Sequence, residues 1–299
     1  MNYEYHTPVL LTECISGLDI NPDGVYVDVT YGGGGHSKPI LDRLTAKGRL
    51  FGFDHDDQAV ANTIDDERFV FVKSNFEYVA HFMSYYGVGQ VDGILADLGV
   101  SSFHFDEPSR GFSYRFDTDL DMRMNESISL TARDVLGRYS QEQLQNVFST
   151  YGEVRNAKTL SKVICDQRQG QENRRSSDLL KIIDRCYRGD RQKYASQVYQ
   201  ALRIEVNDEL GVLRRFLASA MELLAIGGRL VVISYHSLED KIVKEYLRGD
   251  HLKVEDEFGR VDMAYKVITR KPIVPSETEI KMNSRAASAK LRIVERLKL

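Results

Sequence analysis

The segment Asp28-Val29-Thr30-Tyr31-Gly32-Gly33-Gly34-Gly35-His36-Ser37 constrains this chain more than any other feature. It follows a short β-branched run, GVYVDV at 24–29, and opens SKPILDRLTAK, which reads as a helix with Pro39 tolerated in its first turn. Four glycines between a strand and a helix let the backbone turn tightly and come close to a ligand, which the helix-start amides then face. RLFGFD at 49–54 reads as the next strand, and Asp54 ends it. An acid at that place accepts hydrogen bonds from both ribose hydroxyls of an adenosine. A nucleoside ligand is therefore expected at this loop.

RFVFV at 68–72 and VDGILADLG at 91–99 read as further strands, with helices at QAVANTI and near 76–85 between them. Strands alternating with helices imply βαβ units and a parallel sheet. The alternation then stops. Residues 100–125 show no periodicity, and a polar stretch of that length is usually functional or mobile. From 129 to 226 the chain reads as almost purely helical. Ser140 with Gln143 forms a capping-box pattern, and Ser177 caps a later helix with Leu180, Ile183 and Tyr187 inward. A long helical stretch over 195–225 stops at Gly227-Gly228. RLVVIS at 229–234 returns to strand, the helix LEDKIVKEYLR follows, and VDMAYKVIT and KLRIVERLK are late strands. The expected organisation is a discontinuous α/β sheet domain of residues 1–104 and 206–299, interrupted by an inserted all-α domain of residues 105–205.

Cys14, Cys165 and Cys186 lie far apart with no CxxC, which argues against a disulfide framework and a cysteine zinc site. Scattered histidines give no metal-site spacing either, so no metal is expected. No run approaches the roughly 18 apolar residues of a membrane span. The start MNYEYHTPVLL lacks the basic and apolar regions of a signal peptide, and a cytoplasmic location is expected. Charge is distributed unevenly. Residues 1–100 carry 6 basic and 15 acidic residues, net −9, whereas residues 150–215 and 241–299 are each net +5. That asymmetry suits a cationic small molecule seated beside a polyanion.

The glycine loop also narrows the nucleoside. A dinucleotide fingerprint wants G-x-G-x-x-G; Gly32 and Gly34 fit, but the last position is Ser37. Asp28, aimed into the loop, would repel a pyrophosphate and attract an ammonium group. S-adenosylmethionine carries an ammonium and a sulfonium and no phosphate. The reading therefore favours a methyltransferase over a nicotinamide-dependent oxidoreductase.

HTPVLLTE at 6–13, DVTYGGGGHS at 28–37, DGILADLGVSS at 92–102, RGFSYR near 110–115, LDMRM at 120–124, YGEVRNAK at 151–158, QALRIEVNDEL at 200–210, GGRLVVISYHSLEDKIVK at 227–244 and SRAASAKLRIVER at 284–296 together resemble the RsmH (MraW) family. These are bacterial methyltransferases that modify N(4) of a cytidine in small-subunit ribosomal RNA near the decoding centre. The resemblance implies a class I S-adenosylmethionine-dependent, Rossmann-like methyltransferase sheet with a helical insert. It implies small-subunit ribosomal RNA as partner, within an assembled or assembling subunit. By position, the family's cofactor contacts fall on Gly34, Gly35, His36, Asp54, Phe76 and Asp97, and on His104. Phe103-His104 replaces the family's usual Pro-Gln, and Ala195-Ser196-Gln197-Val198-Tyr199 stands where A-T-R-T-F is more common. The second departure removes an arginine able to hold a phosphate or carboxylate.

The cytosine amine is a poor nucleophile because its lone pair is delocalised into the ring. An acceptor beside the amine localises that pair and takes a proton. No Pro-Pro-aromatic turn follows the fourth strand. The acceptor-side candidates are Asp97, Ser101 and Ser102, with His236 able to receive a proton through water. Tyr235, Phe103 and Phe112 are candidate platforms for the base. Arg174 and Arg175 are expected among the RNA contacts. A non-catalytic ribosome-assembly factor that keeps the cofactor fold is the alternative, and the intact Gly34, Asp54 and Asp97 set counts against it.

Overall fold

The computed structural model describes residues 8–99, 110–168, 175–249, 252–255 and 261–298. The chain divides into two compact units, one of residues up to Gly99 and from Leu210 onward, the other of Val100–Glu209.

The first unit is built on a seven-stranded sheet. Its strands are β1 (Val25–Asp28), β2 (Arg49–Asp54), β3 (Phe69–Lys73), β4 (Val91–Asp97), β5 (Leu224–Ser234), β8 (Tyr265–Val267) and β9 (Lys290–Arg296), in the order β3-β2-β1-β4-β5-β9-β8. The first five strands are mutually parallel, and β9 runs antiparallel to β5 and β8. The central strands are buried on both faces, so they read as continuous apolar runs such as ILA and LVVI rather than alternating ones. The order turns back between β1 and β4, which makes their carboxyl ends the switch point where open α/β sheets bind ligands. Asp28, Asp54, Asp97 and Ser234 are the last residues of β1, β2, β4 and β5. This is a Rossmann-like sheet with one antiparallel strand inserted at one side, the arrangement the sequence resemblance implies.

Several elements depart from the expectation. The helix after the glycine loop covers only Ser37–Leu41, and the one after β2 only Asp57–Val60. The predicted helix over 195–225 is two helices, Arg191–Asn207 and Glu209–Leu223, separated at Asp208, whose φ is 47°. Aspartate is among the few side chains that enter this left-handed region readily. Gly227-Gly228 does not separate helix from strand but lies inside β5, where the register against β4 shifts. Gly227 has φ 81°, and a Cβ at Gly228 would lie 2.9 Å from the Ala225 carbonyl, so the pair forms an irregularity that only glycine accommodates. VDMAYKVIT breaks at Ala264: Val261–Met263 (β7) pairs with Lys253–Glu255 (β6) in a separate ribbon, and only β8 joins the main sheet.

Among its described residues the second unit packs five helices around its own core: Ala132–Arg138, Gln141–Thr150, Ala157–Gln167, Ser176–Cys186 and Arg191–Asn207. Capping boxes start the first two, Thr131 with Asp134 and Ser140 with Gln143, as the spacing predicts for the second. The helix assigned to a Ser177 cap begins instead at Ser176, and Asp117 accepts the Ser177 amide. Its buried face is Leu179, Ile182, Ile183 and Cys186, so Tyr187 points outward at 40% exposure. Among the aperiodic residues, 110–125 are anchored. Leu120 and Met122 are buried, Asp121 holds Arg123 at 2.7 Å, and Arg123 also donates to the Glu126 and Ile128 carbonyls. No helix among the described residues is long and apolar enough to cross a membrane.

Candidate active site

The site is built upward from the ends of β1, β2, β4 and β5. After β1 the chain turns at Gly32 and Gly34, with φ of 52° and 75°. A Cβ at Gly34 would sit 2.9 Å from the Tyr31 hydroxyl, and one at Gly35 would sit 2.6 Å from Pro8. Both positions therefore need glycine, one for its torsion and both for close approach. Asp54 fixes the turn from the neighbouring strand end. One carboxylate oxygen accepts the Gly32 amide at 2.9 Å and the other accepts the Asp56 amide at 2.8 Å. These bonds leave lone pairs on both oxygens.

A second carboxylate cluster lies at the switch point. Asp28 is 1% exposed and accepts from the Ser37 hydroxyl at 2.7 Å and the Thr30 amide at 3.1 Å. Asp97 accepts from the Tyr235 hydroxyl at 2.7 Å, and its own amide donates to Thr30 Oγ1 at 2.7 Å. Thr30 thus joins the two strand ends. His36 is buried, with Nδ1 3.7 Å from Asp97 and Nε2 3.1 Å from the Val9 carbonyl. Burial pushes both carboxyls above their ordinary range; Asp54 raises Asp28 further, and Asp28 and Glu239 raise Asp97 further. The nearby His36, and the Ser37 and Tyr235 hydroxyls, pull the other way. Burial beside Asp97 also pushes the Tyr235 phenol well up, so it stays a hydrogen-bond donor. The arrangement gathers carboxylates beside the glycine turn. Such charge suits a cationic ligand and rejects a phosphate.

The SYHSLED segment supports this cluster from β5. Glu239 accepts the Tyr235 amide at 2.8 Å and the His236 amide at 3.3 Å. His236 is the N-cap of the helix Ser237–Tyr246: its Nδ1 accepts from the Glu239 amide, and Nε2 lies 3.1 Å from Glu239 Oε1. Gly99, at φ 110°, leaves room for Tyr235, because a Cβ there would lie 3.1 Å from its ring.

Of the residues singled out in the sequence, Gly34, Gly35, His36 and Asp97 meet in one place, with Asp54 at the base of the loop. Phe76 stands in the turn after β3, half-buried and edge-on to Phe216 at 5.2 Å between ring centroids. Ser101, Ser102, Phe103, His104 and Arg174 lie outside the described residues. Two expectations change. Phe112 is 4% exposed in the core of the helical unit, so it offers no platform to a base. Tyr235 is a hydrogen-bond partner of Asp97, where the sequence suggested a stacking ring. Sequence reasoning gives no role to Thr30 or Glu239 and reads Ser37 only as a departure from the dinucleotide pattern. Thr30 and Ser37 flank the glycines, and the three-residue step from His236 to Glu239 is the legible signal of a capping box.

Ribosomal RNA small subunit methyltransferase H of Bacteroides thetaiotaomicron is 50% identical over 98% of this chain and 97% of its own. The protein of the same name from Flavobacterium johnsoniae is 48% identical over 98% of each chain. A crystal structure of an rRNA methylase from Streptococcus thermophilus aligns at 11% identity and TM-score 0.43, covering 96% of this chain and 94% of that one. The MraW methylase family model matches residues 3–297, and the chain belongs to that family.

Proposed function

We propose that this protein transfers a methyl group from S-adenosylmethionine to the N(4) amine of a cytidine in small-subunit ribosomal RNA near the decoding centre. The observation that carries the cofactor half is the pairing of the glycine turn, locked by Asp54, with the buried Asp28 and the partly buried Asp97 at the same sheet edge. The donor set fits that cofactor: Asp54 toward a ribose, a cradle closed to any Cβ at Gly34 and Gly35, and acidic groups toward an ammonium and a sulfonium. Bound there, the cofactor supplies an electrophilic methyl group. Gly34, Gly35, His36, Asp54 and Phe76 hold and orient it, and His104 belongs to the same proposed set. RNA as substrate is supported by the names of relatives near 50% identity over almost the whole chain.

In this reading Asp97 accepts a hydrogen bond from the attacking amine, which directs its lone pair. The charged form is the one that accepts, and Tyr235 steadies it. Ser101 and Ser102 take the base edge. His236 holds the turn through its capping box, both ring nitrogens being engaged with Glu239, so the released proton passes to Asp97 instead. The residues of the insert and the basic C-terminal region hold the RNA, and the protein acts in the cytoplasm on an assembled or assembling subunit.

The experiment is methylation of small-subunit RNA and of isolated subunits by purified protein, read by nucleoside mass spectrometry. N(4)-methylcytidine above the no-enzyme control is expected, with loss in Asp97→Asn. Methyl groups found only on another atom or another nucleoside would overturn the assignment.

A further inference from the structure

We infer that one corner of the helical unit, around Asn156, is an RNA contact that holds phosphates and stacks an unpaired base. The inference rests on the RNA-methyltransferase reading above and locates the part of the surface that takes the nucleic acid.

Asn156 precedes the helix Ala157–Gln167 but does not cap it. Its side-chain amide donates instead to the Cys186 carbonyl at the end of the helix Ser176–Cys186, at 2.8 Å. Its side-chain oxygen accepts from Tyr194 of the helix Arg191–Asn207, at 3.0 Å. One residue of the YGEVRNAK segment thus ties three helix ends together. The chain neighbours of those three ends are basic and exposed: Arg155 and Lys158, Arg185 and Arg188, and Lys193. Lys162 lies one turn beyond Lys158 on the same helix face.

These cations differ from most others in the unit. Arg123 is paired with Asp121, Arg138 with Asp134, Arg191 with Asp184 and Arg203 with Glu209. Arg175, expected from sequence to contact RNA, is committed to Asp117 and to the Asp117 carbonyl. By contrast, none of Arg155, Lys158, Arg185 and Arg188 makes an ion pair with a described residue. Two acids of the same helix ends are engaged elsewhere: Asp190 caps its own helix through the Lys193 amide, and Asp184 holds Arg191. The positive end of the uncapped helix Ala157–Gln167 faces the same corner.

Tyr187, 40% exposed, follows Cys186 directly and lies between Arg185 and Arg188 in the chain. An exposed aromatic ring among unpaired arginines and lysines is the pattern of a single-stranded nucleic-acid contact: cations track the backbone and the ring stacks a base. Base stacking tolerates any sequence, so this corner contributes grip rather than choice of target.

The test uses the full chain. Arg155→Gln with Lys158→Gln, Arg185→Gln with Arg188→Gln, and Tyr187→Ala are compared with wild type and with Lys47→Gln, an exposed lysine of the sheet unit. Binding of a small-subunit RNA fragment is measured across salt concentration, beside cofactor affinity by calorimetry. Each double variant is expected to bind RNA at least tenfold more weakly and to lower the salt slope by about 1–2. Tyr187→Ala is expected to lose about tenfold with an unchanged slope, and Tyr187→Phe to restore it. Cofactor affinity and Lys47→Gln should match wild type. Variants that bind RNA like wild type, with the same slope, overturn this surface while leaving the methyltransferase reading intact. A wild type that neither binds nor methylates RNA overturns that reading instead. Variants that bind RNA normally but lose affinity for the whole subunit, with little salt dependence, assign the corner to a protein partner and overturn the RNA contact.

Discussion

Asp97 stands at the meeting of three effects. Burial raises its pKa, while His36 and the Tyr235 hydroxyl favour its charged form. An acceptor must be ionised, so turnover falls as pH drops through the raised pKa, and this acid limb should lie above the ordinary carboxylate value near 4. Tyr235→Phe removes a bond to the charged form, so the limb should move further up in single-turnover pH profiles, with cofactor affinity little changed. A limb that stays in place would show that Tyr235 does not act through Asp97. The same shift has a stability consequence. A carboxyl whose folded pKa is raised stabilises the fold at pH below its unfolded pKa, and that contribution is lost as pH rises through the folded value. Ionised Asp97 therefore opposes folding at neutral pH. Asp97→Asn should melt at the same or a higher temperature than wild type at pH 7.5, while turnover drops about 10²–10⁴-fold. A fall in melting temperature together with turnover would mark the residue as structural. Asp54→Ala removes the acceptor of the Gly32 and Asp56 amides. It should cost about 1–3 kcal/mol in thermal or denaturant unfolding and weaken cofactor binding in calorimetry. Unchanged cofactor affinity would separate Asp54 from the ligand.

At the scale of elements, the glycine turn was legible because its causes are local: a strand, torsions open only to glycine, a helix start and an acid after the next strand. Gly34→Ala should destabilise the fold by about 1–2 kcal/mol, since alanine at φ 75° is strained and its Cβ meets Tyr31. Denaturant titration checks this, and a wild-type midpoint would show that the loop relaxes freely. Other elements were misread because their causes are distant in sequence. Gly227-Gly228 reads as a stop, yet pairing with β4 carries the strand through it. Arg175 reads as free charge, yet Asp117, which holds it, is 58 residues away in sequence. Tyr235 reads as a stacking ring because nothing local predicts Asp97 beside it, 138 residues earlier. Asn156 carries no visible cap signal because its partners belong to two other helices. Asn156→Ala should therefore cost about 1–3 kcal/mol, read as weaker protection from hydrogen exchange around Cys186 and Tyr194. Equal protection would deny it that tying role.

At the scale of the molecule, the sheet was readable as βαβ units and the insert as a run of helical periodicity. The division of labour follows from charge. The net −9 of residues 1–100 sets carboxylates around a glycine turn, and the net +5 of residues 150–215 leaves unpaired cations at a corner of the helical unit. A cationic cofactor and a polyanionic substrate are the ligands those two surfaces suit. The most direct test of the central claim is mass spectrometry of small-subunit ribosomal RNA nucleosides from cells lacking this protein. The account predicts loss of methylation at N(4) of one cytidine, restored by the wild-type gene and not by one encoding Asp97→Asn. Retention of that methyl group in the deletion strain, or its full restoration by Asp97→Asn, would contradict it.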